Sequence, residues 1–79
     1  MRLDKYLKVS RLIKRRTVAN EACDAGRVLL NGKVARASAE VKAGDRITIG
    51  FGGKDMEVEV LSVAETVRKE DADAMYKVL

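Results

Sequence analysis

A chain of 79 residues is long enough for one small domain, and 16 Lys and Arg against 12 Asp and Glu give it a net charge of +4. It has one cysteine and no histidine, which excludes an internal disulfide, the usual zinc sites and the common Ser-His or Cys-His nucleophile pairs. No apolar run approaches the ~20 residues of a membrane span, and no signal-peptide segment follows the basic start. We expect a cytoplasmic, non-enzymatic domain over residues 1–79, with no cofactor, no metal and no membrane partner.

The positive charge is concentrated at the start of the chain. Residues 1–16 carry seven Lys and Arg and one acid, a net +6, whereas residues 17–79 carry a net −2. A stretch with such concentrated positive charge indicates that an anionic partner binds at one face of the protein. A solvated basic surface without a partner is the alternative.

The first two predicted elements are short helices. The i, i+3, i+4, i+7 spacing predicts a first helix over residues 3–9, carried by Leu3, Tyr6, Leu7 and Ser10. A second helix is predicted from Arg15 or Arg16 to Ala25, and its apolar stripe consists of Val18, Ala19, Ala22 and Cys23. Gly26 ends it, because glycine adopts the left-handed conformation at a helix end without a Cβ penalty. Between the helices, Leu12 and Ile13 are predicted to be buried in an elbow, residues 11–14.

The rest of the chain predicts a small, mostly antiparallel sheet. Residues 27–30 form a strand, and Asn31-Gly32 signals a type I′ hairpin turn into a return strand over 33–35. Alternating apolar and polar residues predict two further strands, over 46–51 and from Met56 towards Val63. Apolar spacing predicts a short C-terminal helix over 70–79. The order α-α-β-β-β-β-α describes an α+β fold, with two N-terminal helices packed on the sheet.

The cations of the helix pair and of the hairpin are the candidate contacts for a polyanion. Arginines in and after the elbow offer guanidinium groups that bind phosphate bidentately. Lys33 and Arg36 follow the hairpin tip, which could touch a sugar–phosphate edge; a plain turn without a partner is the alternative. Tyr6 and Cys23 are predicted to be core residues, although Tyr6 could also stack on a base.

Several motifs together resemble one family. They are MRLDKYL at 1–7, RLIK at 11–14, Arg16, GRV at 26–28, NGKV at 31–34, Ser38 and VKAGD at 41–45. This combination is similar to the S4 (S-four) domain with its αL motif, the RNA-binding fold first seen in ribosomal small-subunit protein four. The resemblance covers the core motif, about residues 1–50, and leaves the remaining strands and short helix to residues 51–79. It implies that the helix pair and the hairpin bind structured RNA.

Among stand-alone members, the sequence is most similar to the RqcP family of bacterial ribosome-associated quality control, and next to heat-shock ribosome-binding proteins. The closer resemblance rests on overall length, on VSRLIKRRT at 9–17 and on ADAMY at 72–76. It implies a monomer that binds large-subunit rRNA beside an obstructing peptidyl-tRNA. There it stabilises the tRNA while an RqcH-type tailing factor adds alanine without mRNA. Two alternatives remain: large-subunit recycling and general rRNA binding with no role in tailing. We also considered a fragment of an RNA-modifying enzyme, but these 79 residues contain no cofactor motif and leave no room for a catalytic domain, which argues against it.

The resemblance also ranks the candidate RNA-binding residues. Arg2 and Arg16 match the family's most characteristic basic positions, and the second-tier contacts are Lys8, Arg11, Lys14, Arg15, Lys33 and Arg36. The family often has Ser or Thr where Arg15 stands, so we expect the second helix to lack a side-chain N-cap that contributes ~1 kcal/mol. It often has proline where Ala37 stands, so we expect a looser loop before Ser38.

Overall fold

The computed structural model describes residues 1–63 and 69–79. Helix α1 spans Leu3–Val9 and helix α2 spans Arg16–Asp24; β1 is Val28–Leu30, β2 Lys33–Val34, β3 Arg46–Phe51 and β4 Lys54–Val60. A 3-10 helix over Lys69–Met75 leads into β5, Tyr76–Val78. The predicted α+β fold is therefore confirmed, with α1 at its predicted bounds.

The strands form one five-stranded antiparallel sheet in the order β2-β1-β3-β4-β5. Asn31 and Gly32 have φ of 53° and 84°, the positive values that the predicted hairpin turn requires. In the centre of the sheet, Ile47 pairs with both Leu30 and Val58. This register places Val28, Leu30, Ile47, Ile49 and Val58 on one face, which the helices cover.

The core lies between the helix pair and this face of the sheet. α1 buries Leu3, Tyr6 and Leu7 completely, whereas α2 buries only Ala19 and Cys23. Val18, predicted to belong to the apolar stripe of α2, is instead 47% exposed. Because α2 contacts the core along a narrow stripe of small residues, a side chain 100° away around the helix points outside it.

The predicted C-terminal helix is wrong in its second half. Residues 69–75 form a 3-10 helix, and residues 76–78 are a strand whose Tyr76 pairs with Val60 of β4. The Met75 carbonyl accepts hydrogen bonds from the Tyr6 hydroxyl at 2.7 Å and from the backbone N–H of Leu61 at 2.8 Å. These bonds direct the chain to the edge of the sheet, where β5 pairs with the side of β4 that faces away from β3.

The start of the chain is fastened to the loop over residues 37–41. The Leu3 N–H donates to the Ala39 carbonyl at 2.8 Å, and the Val41 N–H donates to the Met1 carbonyl at 2.9 Å. Ala37 is buried and its carbonyl accepts from the Asp4 N–H at 3.1 Å. This loop thus supplies the acceptors for the first turn of α1 and positions the helix that carries Arg2 at its N-cap.

Candidate nucleic-acid interface

One buried carboxylate, that of Asp4, binds both of the arginines that rank first as candidate RNA contacts. Asp4, 2% exposed, accepts from Arg2 Nε at 3.2 Å and from Arg16 Nε at 3.4 Å. Asn20 Nδ2 donates to the same carboxylate at 3.2 Å, and the Lys5 backbone N–H donates at 2.8 Å. We call Arg2, Asp4, Arg16 and Asn20 the Asp4 cluster; it joins the start of α1 to the first turns of α2.

The Asp4 cluster keeps its carboxylate ionised. Burial alone would raise the pKa of Asp4, but hydrogen bonds from Asn20, Arg16, Arg2 and the Lys5 backbone outweigh it. The pKa of Asp4 therefore lies below its usual value. At neutral pH the cluster holds two positive charges against one negative charge.

Both arginines remain available to an outside ligand. Their side chains are 50% and 48% exposed for Arg2 and Arg16. Arg16 uses only Nε on Asp4, so within residues 1–63 and 69–79 its two terminal nitrogens have no acceptor. An open cleft of about 390 Å³ lies beside it, lined by Asp4, Arg16, Thr17, Asn20 and Glu21. A phosphate oxygen in this cleft would meet oriented donors whose direction is already set.

The elbow carries a second group of cations beside the Asp4 cluster. Ile13 is buried, as predicted, whereas Leu12 is only half-buried; Arg11, Lys14 and Arg15 are exposed. Arg15 is the N-cap of α2 and makes no side-chain cap hydrogen bond, as expected from the missing Ser or Thr. Arg11 has a φ of 64°, a left-handed conformation that costs a non-glycine residue about 1–2 kcal/mol.

The remaining predicted cations lie outside the Asp4 cluster and the elbow. Lys8 is exposed in the last turn of α1, and Lys33 begins β2 at the edge of the sheet. Arg36 lines a cleft with Cys23 and Gly26, at the C-terminal end of α2. Since α2 has nine residues, Arg36 is displaced from Arg16 by about a helix length, ~13 Å. The structure thus brings Arg2 and Arg16 together at the N-terminal end of α2. Arg36, which is not part of α2, lies near the C-terminal end of that helix.

Sequence reasoning missed Asp4 and Asn20, which hold the arginines in place. The available signal was that Asp4 is the single acid among the first 16 residues. It lies one position from Leu3 and three from Leu7, on the buried side of α1. A lone acid on the inward side of a basic helix indicates a carboxylate that pairs with the surrounding cations.

Two other residues are confirmed as core rather than ligand-binding. Tyr6 is fully buried, its hydroxyl donates to the Met75 carbonyl, and burial raises its pKa. Burial, with smaller contributions from Asp4 and Asp24, raises the pKa of the Cys23 thiol to about 11. The thiol is therefore protonated at neutral pH, which makes it a poor nucleophile.

Comparison with known proteins identifies a family and several relatives by sequence. The family model of the S4 domain matches residues 1–47. The RQC P-site tRNA stabilizing factor of Halalkalibacterium halodurans is 59% identical over 78 residues, covering 99% of this chain and 89% of that protein. The factor of the same name from Bacillus subtilis is 54% identical over 79 residues, covering 100% of this chain and 92% of that protein.

A solved structure also matches the whole fold. The trimeric structure of heat shock protein 15 from Vibrio cholerae superposes with a TM-score of 0.92 at 29% identity, covering 100% of this chain and 81% of that chain. Over residues 1–63 and 69–79, no helix has the length and apolar character needed to cross a membrane.

Proposed function

This chain belongs to the S4 domain family, and we propose that it acts there as an RNA-binding accessory factor of ribosome-associated quality control. It binds rRNA of a large ribosomal subunit that carries an obstructing peptidyl-tRNA. It stabilises that tRNA while an RqcH-type factor adds C-terminal alanine residues without mRNA. Residues 1–79 form one RNA-binding domain, which acts in the cytoplasm as a monomer and catalyses no reaction.

The Asp4 cluster is the observation that supports this proposal most strongly. It presents Arg2 and Arg16 as a pair of oriented, half-exposed guanidinium groups, next to the exposed cations of the elbow. Guanidinium groups held in a fixed orientation suit the phosphates of a folded RNA, since these side chains lose little conformational freedom on binding. Of the candidate RNA contacts, these two are therefore the central ones. The further proposed contacts are Lys8, Arg11, Lys14, Arg15, Lys33 and Arg36.

Recognition of this kind depends on shape and phosphate positions more than on base sequence. Base-paired RNA hides its base edges in a deep, narrow major groove, so proteins read its backbone and its 2′-hydroxyls. Two groups of cations on a small rigid body fit such a surface.

Affinity purification of the tagged protein from its native host tests the proposal. We expect large subunits, tRNA and a tailing factor to be recovered together, because the proposed complex contains all three. Large subunits without tRNA or tailing factor would favour the heat-shock-type recycling role, which the structural match to heat shock protein 15 makes the second candidate. Recovery of no ribosomal component would overturn the RNA-binding role itself.

A further inference from the structure

We propose that Asn31 and Asp45 are positioning residues, which fix the tip of the β1–β2 hairpin so that Lys33 is held on the helix side of the sheet. We call this pair of side chains, Asn31 and Asp45, the hairpin latch. The role rests on the proposed function, in which Lys33 contacts RNA, and deepens it. Neither residue of the latch touches RNA, because both act through the lysine.

The hairpin has little backbone support of its own. β2 consists of Lys33 and Val34, lies at the edge of the sheet, and pairs with β1 alone among the described strands. Both of its residues are exposed. A two-residue strand at an edge frays readily, because few hydrogen bonds hold it. The direction of the Lys33 side chain therefore depends on how firmly the preceding turn is fixed.

The Asn31 side chain extends the pairing between β1 and β3 by one residue. The Asn31 N–H donates to the Arg46 carbonyl at 2.7 Å, as in an ordinary antiparallel ladder. The reverse bond runs from the Arg46 N–H to the side-chain oxygen Oδ1 of Asn31 at 2.9 Å. Asn31 has the left-handed φ of the turn, and its side chain supplies the acceptor that the backbone carbonyl of a strand residue would supply.

Asp45 connects the same carboxamide to the turn before β3. Its Oδ1 accepts from Asn31 Nδ2 at 3.2 Å, and its Oδ2 accepts from the Lys42 N–H at 2.8 Å. The backbone of Asp45 is bonded to β4, since the Val60 N–H donates to the Asp45 carbonyl at 2.8 Å. The hairpin latch thus joins the tip of an edge hairpin to the central strands of the sheet.

The strand register determines the side of the sheet on which Lys33 lies. Lys33 is directly opposite Leu30, and directly opposite residues of antiparallel strands project from the same face. Leu30 packs against the core, on the face that the helices cover. A fixed hairpin tip therefore holds the Lys33 ammonium group on the same side of the sheet as Arg2 and Arg16.

Asn31→Gly removes the latch and keeps the turn, because glycine adopts a positive φ without strain. We expect its melting temperature to fall by about 5 °C or less, since the lost side-chain bonds are exposed. Its affinity for purified large subunits carrying P-site tRNA should fall about fivefold, against about tenfold for Lys33→Gln. Although the substitution is neutral, it should also lower the salt slope of binding by up to about 0.8, because a phosphate contact is weakened. A role in stability alone would leave that slope unchanged.

A double-mutant cycle shows whether Asn31 acts through Lys33. The variant that combines Asn31→Gly with Lys33→Gln should lose about tenfold, no more than Lys33→Gln alone, whereas independent effects would multiply to about fiftyfold. Lys54→Gln is the matched control, since Lys54 is the exposed first residue after the two-residue turn of the β3–β4 hairpin. It should change binding less than about twofold, and its effect should add to that of Asn31→Gly.

Asp45→Ala tests the other half of the latch. This change makes the protein more positive, which by itself strengthens binding to RNA. We nevertheless expect binding about two- to fivefold weaker than that of the parent, because Asn31 loses its link to the turn before β3. Tighter binding by Asp45→Ala would overturn the proposal.

Three results with Asn31→Gly would also overturn it: a multiplied loss in the double variant, an unchanged salt slope, or failure to fold, which would assign the bonds to the fold alone. Binding of Lys33→Gln at the level of the parent would overturn the positioning role and leave a function based on Arg2 and Arg16 intact. If the parent chain itself did not bind the subunits, the proposed function would fall, and the role of the hairpin latch with it.

Discussion

Replacing Arg2 and Arg16 together with glutamine is expected to abolish association with large ribosomal subunits at physiological salt. A charge-assisted hydrogen bond to phosphate contributes about 1.5–3 kcal/mol, so the loss of two corresponds to roughly 10²–10⁴-fold in affinity. Glutamine retains an amide donor for the Asp4 carboxylate, which keeps the buried acid hydrogen-bonded and limits damage to the fold. Co-sedimentation with purified large subunits in a sucrose gradient measures the effect.

Lys54→Gln combined with Lys77→Gln is the control for that experiment. Lys54 and Lys77 are exposed residues of β4 and β5, away from the helix pair, and their replacement removes the same net charge. This variant is expected to co-sediment like the parent apart from a small general electrostatic loss. Undiminished binding by the Arg2 and Arg16 variant would show that the interface lies elsewhere.

The second large effect is expected at Asp4. Asp4→Ala removes the shared acceptor of Arg2, Arg16, Asn20 and the Lys5 N–H, and we expect the free energy of unfolding to fall by about 2 kcal/mol. The half-exposed arginines contribute little of this, because solvent screens their pairing. Most of the loss arises from the Asn20 and Lys5 hydrogen bonds. Urea denaturation with an unchanged m-value would measure it.

Asp4→Ala also separates two effects on RNA binding, because the change in net charge and the loss of arginine orientation act in opposite directions. The substitution makes the protein more positive, which by itself strengthens binding to RNA. We nevertheless expect weaker binding to large subunits, since Arg2 and Arg16 lose the carboxylate that fixes them. Tighter binding together with unchanged stability would show that Asp4 is only one negative charge.

The pH dependence of the Asp4 contribution has a defined sign. The pKa of Asp4 is lowered in the folded protein, so its stabilisation is present above the pKa of the unfolded chain. It is lost as pH falls through the lower folded pKa. The stability difference between parent and Asp4→Ala should therefore be constant near pH 7 and shrink below about pH 4.

Local patterns predicted the parts of the fold whose residues interact with near neighbours. The spacing of Leu3, Tyr6 and Leu7 set α1, and Asn31-Gly32 set the hairpin, because both depend on residues close in the sequence. The C-terminal strand could not be predicted in this way. Its place depends on the bond between Tyr6 and the Met75 carbonyl, which are 69 positions apart.

Only part of the candidate site, likewise, could be predicted from the sequence. The resemblance to the S4 domain singled out Arg2 and Arg16, and their clustered charge was visible in the sequence. The orientation of both arginines by one buried carboxylate could not be predicted, because it depends on the packing of α1 against α2. This packing brings Asn20 into contact with Asp4, which is 16 positions away in the sequence. The left-handed conformation of Arg11 was equally hidden, since it follows from the burial of Ser10 and Ile13 on either side.

The salt dependence of large-subunit binding tests most directly whether the oriented cations of the helix pair bind phosphates. The logarithm of the association constant should fall linearly with the logarithm of salt concentration, with a slope of about 0.7–0.9 per phosphate contact. Replacing Arg2 and Arg16 with glutamine should reduce that slope by about 1.5, whereas replacing Lys54 and Lys77 should leave it nearly unchanged. A flat salt dependence in the parent, or the same slope in the parent and the Arg2 and Arg16 variant, would contradict the account.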